Sequence, residues 1–347
     1  MNGIIVFGII LFTLWIGRSI FIPILVAAFL WYLINAISEY FRRVFPHQTP
    51  RTHRDKIYDL IYDCISYAAS LLAICGIVYL FITQVKPMFS ELAAALPAIQ
   101  DKLISFGNYL SGSVGLKFDA NMIPNITKVA ANIGASAAGF ATSIGIVFVY
   151  MIFMFIEQST FNKKFTALIP NKSRAKKMRY IIDSIDNNMK KYLFMKTVIS
   201  GITGIVSYLW LQMIGLEFAG VWAFIVFITS YIPTIGAIIA CSLPILYSFT
   251  VAPGWELPLL TAGGLIGLQI LFGNIMEPKL MGKSLNLSTL AILINLVFWG
   301  MIWGIAGMFF SVPILVGIYI VAAQFDSTRW VAVLLSADGK IPDKNED

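Results

Sequence analysis

Long apolar runs separated by short polar connections make up most of this chain. Several of these runs exceed the roughly 20 residues that a helix needs to cross a lipid bilayer. The pattern therefore predicts an all-α polytopic integral membrane protein with about eight transmembrane helices. The predicted spans are residues 3–17, 20–38, 58–84, 134–156, 197–215, 219–250, 257–280 and 288–324.

One region interrupts this pattern. Residues 86–133 have mixed polarity and contain Pro87, Pro97 and Pro124, which predicts a small helical extracytoplasmic subdomain. The chain beyond Asp326 is mostly polar and predicts a disordered tail. The expected organisation is helices 1–3 in residues 1–85, the subdomain in 86–133, helices 4–8 in 134–325 and a cytoplasmic tail in 326–347.

The distribution of charge orients the predicted spans. The loops at 39–56 and 157–196 are strongly basic, so they are expected to face the cytoplasm, with 86–133 outside and both termini cytoplasmic. The same parity places the turn at 281–287 outside, where Lys279 and Lys283 conflict with the rule. This conflict indicates that spans six to eight are not simple crossings. One or two of them are expected to be broken or re-entrant.

The basic segment after the fourth span has two interpretations. Residues 171–193 have the pattern of an amphipathic helix lying on the membrane surface, in contact with lipid. A cytoplasmic loop explains the same charges. The sequence leaves both open.

The composition also excludes several classes of protein. Charged residues make up 12% of the chain, against about 25% in soluble domains, so the net charge of +7 is no sign of nucleic-acid binding. The three cysteines, Cys64, Cys75 and Cys241, lie in apolar stretches without a C-x-x-C pair. We find no metal-binding or cofactor pattern, no catalytic pair and no Walker A motif, and predict a protein that is not an enzyme.

The first candidate site is the stretch from Ser230 to Ile245. Pro233 removes a backbone donor, and Gly236 weakens the helix three residues later. Interrupted helices expose backbone groups at membrane depth, where transporters bind their solutes. Ser230, Pro233, Thr234 and Gly236 are therefore candidate pathway residues. A plain proline kink is the alternative.

The second candidate site is the charged stretch GNIMEPKLMGKSLNL, between two uncharged apolar runs. It is predicted to contain a break between residues 274 and 282, and its candidate pathway residues are Asn274, Glu277, Pro278 and Gly282. A carboxylate inside a membrane is costly unless it is paired or hydrated. A turn at the membrane surface is the alternative.

The third candidate is the last apolar run. Gly300, Gly304 and Gly307 have the i, i+4, i+7 spacing that places small residues on one helical face, which predicts close helix packing. Asn295 needs a hydrogen-bonding partner in mid-span. It is expected either to bond a neighbouring helix or to face the pathway.

These three stretches together resemble the autoinducer-2 exporter family of bacterial membrane proteins, also called PerM-like permeases. The matching residues are Ile232-Pro233-Thr234-Ile235-Gly236, then Asn274, Pro278 and Gly282, then Trp303, Gly304, Gly307 and Pro313. The match in order and spacing covers most of the chain and is specific in its C-terminal half. Family members often have Asn-Phe before the Ile-Pro pair, a second proline after the glycine and His-Pro after the second stretch. This chain has Ser230-Tyr231, Ala237 and Ser288-Thr289 at those places, which bears on the substrate more than on the fold.

The resemblance implies a transporter of the bacterial cytoplasmic (inner) membrane that exports a small polar molecule. It also implies a homo-oligomer, with a pentamer as the candidate size. We expect a secondary, ATP-independent mechanism in which the segments around Pro233 and Pro278 meet and form the site. A sodium/proton antiporter that uses Glu277, with a coupling ion as its partner, is one alternative. A membrane scaffold that does not transport is the other.

Overall fold

The computed structural model describes residues 2–44, 145–158, 172–252, 254–281 and 286–341 as continuous segments. Isolated residues are described between 72 and 105 and at 160 and 164. The predicted span at 58–84 and the predicted subdomain at 86–133 lie outside these continuous segments, and Gly282 is not among the described residues.

The described segments are almost entirely helical, as their apolar runs predict. Four helical stretches are long and apolar enough to cross a membrane: Arg18–Ser38, Ala175–Met213, Glu256–Leu280 and Thr289–Gln324. The prediction of an all-α polytopic membrane protein is confirmed. The helices, in chain order, are α1 (Asn2–Ile16), α2 (Arg18–Val44), α3 (Gly145–Gln158), α4 (Lys172–Met213), α5 (Ala219–Thr229), α6 (Ile235–Val251), α7 (Glu256–Gln269), a π-helix (Ile270–Met276), α8 (Glu277–Met281), α9 (Thr289–Gln324) and α10 (Arg329–Leu335).

The chain divides into two compact units. The first unit comprises Met1–Leu71, Ile144–Thr197 and Lys279–Asp347, and the second comprises Leu72–Ser143 and Val198–Pro278.

The basic segment and the fifth span form one helix. α4 is 42 residues long, about 63 Å at 1.5 Å per residue, which is about twice the hydrocarbon thickness of a bilayer. No proline interrupts it, so the change from charged to apolar residues does not end the helix. In the first unit, Met189 and Leu193 of α4 pack in a buried core with Val316 of α9 and Ala332 of α10. The basic segment is therefore helical from Lys172 onward and continuous with the fifth predicted span, and its place at the membrane surface or in the cytoplasm stays a prediction.

The sixth predicted span is a helical hairpin in the second unit, which we call hairpin 1 (Ala219–Val251). The α5 and α6 helices are joined by a turn at residues 230–234. The rings of Trp222 and Tyr247, 25 positions apart, have centroids 5.4 Å apart, so the two helices run antiparallel. The α5 helix has 11 residues, about 16 Å of rise, which is half of what a crossing needs.

The eighth predicted span is also a hairpin, which we call hairpin 2 (Thr289–Gln324). Gly304 has φ 62° and ψ −138°, which no helix contains. The Asn295 side chain donates a hydrogen bond to the Ser311 carbonyl oxygen at 2.6 Å. In a straight helix these residues would lie about 24 Å apart. The chain therefore reverses at Gly304, which agrees with the expectation that one or two of spans six to eight are broken.

The seventh predicted span continues without a break through residue 281. The irregularity predicted at 274–282 takes the form of the π-helix Ile270–Met276, which leads directly into α8. Pro278 is the second residue of α8 and has no amide proton to donate, so the local change in helix geometry coincides with the position that cannot continue the hydrogen-bond ladder.

The segment beyond Asp326 is ordered where the structure describes it, and the prediction of a disordered tail is wrong there. After α10 the chain pairs with the residues before hairpin 2, through a bridge between Leu287 and Ser336. The Asn286 side chain donates to the Asp338 carboxylate at 2.9 Å and to the Lys340 carbonyl oxygen at 2.8 Å. We call this pairing the base clasp, because it joins the two ends of hairpin 2.

Acid should loosen the base clasp. The hydrogen bond from Asn286 and that from the Lys340 amide hold the pKa of Asp338 below its ordinary value, about 4. The carboxylate therefore stabilises the clasp fully above pH 4 and loses this contribution as pH falls through the lowered pKa. Hydrogen exchange of residues 286–288 should accelerate with acidification in the wild type, after correction for intrinsic exchange. If Asp338→Asn showed the same acceleration, another group would be responsible.

Candidate functional site

The turn of hairpin 1 contains a strained backbone position. Thr234 has φ 62° and ψ −59°, a region that β-branched residues rarely adopt. Its side chain is exposed, and Pro233 before it is half-buried. A strain of this kind costs about 1–3 kcal/mol and persists only when the surrounding structure imposes it. Such positions concentrate at functional sites, so this turn is the leading candidate in the second unit.

Gly236 fixes the angle at which the two helices of hairpin 1 meet. A Cβ atom added at Gly236 would overlap the carbonyl oxygen of Thr229, the last residue of α5. The Ser230 hydroxyl donates to the Val226 carbonyl oxygen at 2.6 Å, so it caps α5 while its oxygen can still accept a hydrogen bond. The tip is therefore closely packed around a few polar groups.

The open end of hairpin 1 carries a carboxylate. The Tyr247 hydroxyl donates to Glu217 at 3.1 Å, and the Tyr247 ring packs against the buried Trp222. A cavity of about 450 Å³ lies beside Glu217, between the end of α4 and the start of α5. Glu217 lies just before the sixth predicted span, where its sequence position alone gives it no special weight. The link to Tyr247 spans 30 positions, which no local pattern shows.

A tight contact holds α7 to α4 in the second unit. The Trp210 ring lies directly on Gly264, where any Cβ would overlap it. The Trp210 indole donates to the Leu260 carbonyl oxygen at 3.2 Å. The adjacent Gly263 faces open space. The two adjacent glycines are alike in the sequence, and only the structure shows that Gly264 makes the contact.

The second set of predicted residues lies where the π-helix passes into α8. Asn274 is exposed, Glu277 is half-buried and Pro278 is exposed. A π-helix widens the backbone and is common at functional sites. Asn274 and Glu277 are three positions apart and so lie on neighbouring parts of one face.

In hairpin 2, Asn295 has protein partners at both ends of its amide. Its nitrogen donates to Ser311 and its oxygen accepts from the Trp299 indole at 3.1 Å. Asn295 was expected either to bond a neighbouring helix or to face the pathway. The structure shows a bond to the opposite arm of the hairpin.

The three glycines of hairpin 2 meet different structural requirements. A Cβ at Gly307 would overlap the Trp299 carbonyl oxygen, and one at Gly300 would lie 3.0 Å from the end of Met308. Both positions therefore need a small residue for packing. Gly304 has open space around it, and its requirement is the positive φ of the turn. The sequence predicted that these three glycines share one face of a helix. They do not, because the chain reverses at Gly304, between the other two.

The tip of hairpin 2 is attached to α1 within the first unit. The Trp303 indole donates to the Leu14 carbonyl oxygen at 2.9 Å. Leu14 lies near the end of α1, where its carbonyl is free for a partner outside the helix.

Removing the Asn295 amide should separate the arms of hairpin 2. Asn295→Leu leaves the Ser311 carbonyl and the Trp299 indole without these bonds, at an expected cost of about 1–3 kcal/mol. The exposed neighbour Ile294 provides the control, Ile294→Ala. Thermal unfolding of the purified protein compares the two. Equal midpoints would mean that the amide does not hold the hairpin together.

The predicted pathway residues are divided between the units. Ser230, Pro233, Thr234, Gly236, Asn274, Glu277 and Pro278 belong to the second unit, and Asn295 belongs to the first.

Helices of crossing length, together with hairpins too short or too sharply turned to cross, are typical of membrane transport proteins. A model of the AI-2E family transporter matches residues 4–326 of this chain. The chain belongs to this family, and it is a multi-pass bacterial membrane transporter.

The chain is similar to curated members of this class. It is 30% identical to the AI-2 transport protein TqsA of Escherichia coli (strain K12) over 348 residues, which cover 97% of this chain and 94% of that protein. It is 30% identical to a Haemophilus influenzae protein that is described as a transport protein, over 73% of this chain and 72% of that protein. YueF of Bacillus subtilis (strain 168) is 22% identical over 85% of this chain and 81% of its own length.

Proposed function

We propose that this protein exports a small polar solute by a secondary, ATP-independent, alternating-access mechanism. The observation that carries the proposal is the strained, exposed Thr234 at the tip of a hairpin in an apolar unit. Polar groups at such a place are costly in lipid and are retained where they face a solute or water. The sequence has no Walker A motif, so hydrolysis of ATP by this chain does not drive the transport.

We assign the solute contacts to two segments of the second unit. At the tip of hairpin 1, the hydroxyl groups of Ser230 and Thr234 offer hydrogen bonds. At the π-helix and the start of α8, the Asn274 amide and the Glu277 carboxylate do so. The Asn274 side chain is exposed on a helix of crossing length, which favours polar surroundings over lipid. The name of the relative TqsA makes AI-2 the first solute to test.

The two hairpins resolve the conflict of charge that the sequence presented. If hairpins 1 and 2 each return to the side from which they enter, six crossings remain. Counting from a cytoplasmic N-terminus, the turn at 281–287 then lies in the cytoplasm, where Lys279 and Lys283 obey the rule. This topology places both termini in the cytoplasm of a bacterial inner membrane. The base clasp supports it, because the residues around 287 pair with those around 336.

Two variants of Thr234 test the site. Thr234→Ala removes the hydroxyl and keeps the strain, so we expect a higher KM for the solute. Thr234→Gly relieves the strain, so we expect a gain of about 1 kcal/mol in stability and a fall of several-fold in maximal transport. Uptake into inverted vesicles, with AI-2 as the first of a panel of polar solutes, measures both. Unchanged transport in both variants would remove the tip of hairpin 1 from the pathway.

Coupling to an ion is assigned to Glu277, a half-buried carboxylate on a helix of crossing length. Glu277→Gln should abolish the dependence of solute transport on a proton or sodium gradient while downhill exchange continues. Glu256→Gln, at the exposed start of α7, is the matched control. Gradient-driven uptake at the wild-type rate in Glu277→Gln would exclude this role. The family resemblance and the apolar surface support a homo-oligomer, which mass measurement in detergent tests.

A further inference from the structure

The short helix α10 presents an exposed apolar face. Trp330 is 63% exposed, Leu334 is 68% exposed and Val333 between them is also exposed. These residues have the i, i+3, i+4 spacing of one helical face. The opposite side, at Ala332, is fully buried against hairpin 2 and α4. α10 is therefore amphipathic, with its inner side fixed.

Basic groups flank this apolar face. The Lys177 ammonium lies 4.8 Å from the centre of the Phe325 ring, one residue past the end of hairpin 2. Arg329 begins α10 four residues later. A cation held over an aromatic face keeps N–H groups that can bind an anion. The exposed apolar residues of α10 are thus accompanied by two positively charged side chains, Arg329 at the start of the same helix and Lys177 of α4 over the ring of Phe325, four residues before Arg329.

The position of α10 in the chain indicates what contacts its exposed apolar face. It begins five residues after the end of hairpin 2, and in the topology proposed above this end of the hairpin lies where the hydrocarbon region ends. Tryptophan is enriched at this level, and basic residues beside it are attracted to anionic headgroups. The occupant is therefore a lipid surface and not a soluble partner.

We propose that α10 lies in the headgroup region of the bilayer, with Trp330, Val333 and Leu334 inserted among the acyl chains and with Lys177 and Arg329 binding the phosphate of an anionic phospholipid. The base clasp joins α10 to both ends of hairpin 2, so bound lipid would hold the base of that hairpin at the membrane surface.

Brominated phospholipids test the proposal, because bromine quenches tryptophan only on contact. The full-length protein is placed in nanodiscs with brominated anionic or brominated neutral phospholipid. The difference in quenching between wild type and Trp330→Phe isolates Trp330 from the other seven tryptophans. We expect Trp330 to be quenched, and quenched more strongly by the anionic lipid.

Charge variants distinguish binding of the anionic headgroup from insertion of the apolar side chains of α10 alone. Arg329→Gln and Lys177→Gln should each weaken the preference for anionic over neutral lipid by about five-fold, the effect of one basic residue near an anionic surface. Arg179→Gln, an exposed position on the same basic segment, should leave the preference unchanged.

Three results would overturn the proposal. Trp330 accessible to aqueous iodide and not to either brominated lipid would place α10 in water. Equal quenching by both lipids, unchanged in the charge variants, would exclude the anionic site. A smaller oligomer in Trp330→Phe without a change in lipid preference would make this face an interface between copies of the chain.

Discussion

Replacing Gly236 by alanine is expected to disrupt hairpin 1. The added Cβ overlaps the Thr229 carbonyl oxygen, which is backbone and cannot move aside by rotating. Either the tip opens or α6 shifts along α5, and we expect a loss of about 3 kcal/mol or more in unfolding free energy. Transport should fall to background, because the turn that holds Pro233 and Thr234 loses its geometry.

The control for this prediction lies in the same hairpin. A Cβ at Gly220 meets its nearest atom, on the Tyr208 ring, at an ordinary 3.8 Å. Gly220→Ala should be neutral or stabilising by about 0.5–1 kcal/mol, since alanine favours helix. Thermal unfolding and solute uptake are measured for both variants. Two variants with the same stability would mean that the contact between Gly236 and Thr229 is not a constraint.

The corresponding change in hairpin 2 is Gly307→Ala. The added methyl group overlaps the Trp299 carbonyl oxygen and crowds the side chain of Trp303. The arms must separate, which also strains the bond from Asn295 to Ser311. We expect a loss of about 2–4 kcal/mol and little or no transport.

Gly317→Ala is the matched control, because Gly317 lies on the same arm and faces open space. The two variants differ by the position of one methyl group. Protease sensitivity near Gly304, together with the thermal midpoint, reports the separation of the arms. A stable, protease-resistant Gly307→Ala protein would show that the arms tolerate a wider spacing.

The sequence identified the break in hairpin 1 because its signal is local. Pro233 and Gly236 interrupt the helix through the backbone of their own turn, and the structure places the turn at 230–234. The reversal at Gly304 had no such signal, since three regularly spaced glycines also fit close packing of a straight helix. Only the contact of Asn295 with Ser311, 16 positions away, distinguishes the two arrangements.

Two further predictions from the sequence differ from the structure. Pro278 suggested a break, but the helix continues from the π-helix into α8. The i→i−5 pairing of the π-helix, in which the Glu277 amide donates to the Phe272 carbonyl oxygen, ends directly before the residue that has no amide proton to donate. The polar residues after Asp326 suggested a disordered tail. The seven residues of α10 are ordered because their buried side packs against hairpin 2 and α4, which lie far away in sequence.

The base clasp sets the order in which hairpin 2 completes its fold during synthesis. Asn286 is made 54 residues before its partner Lys340. At 5–20 residues per second, the hairpin stays open at its base for about 3–10 s after Asn286 is joined to the chain. Asn295 meets Ser311 earlier in that interval, so one amide holds the nascent arms together in lipid. A chain ended before residue 335 would keep its hairpin permanently in this unfinished state.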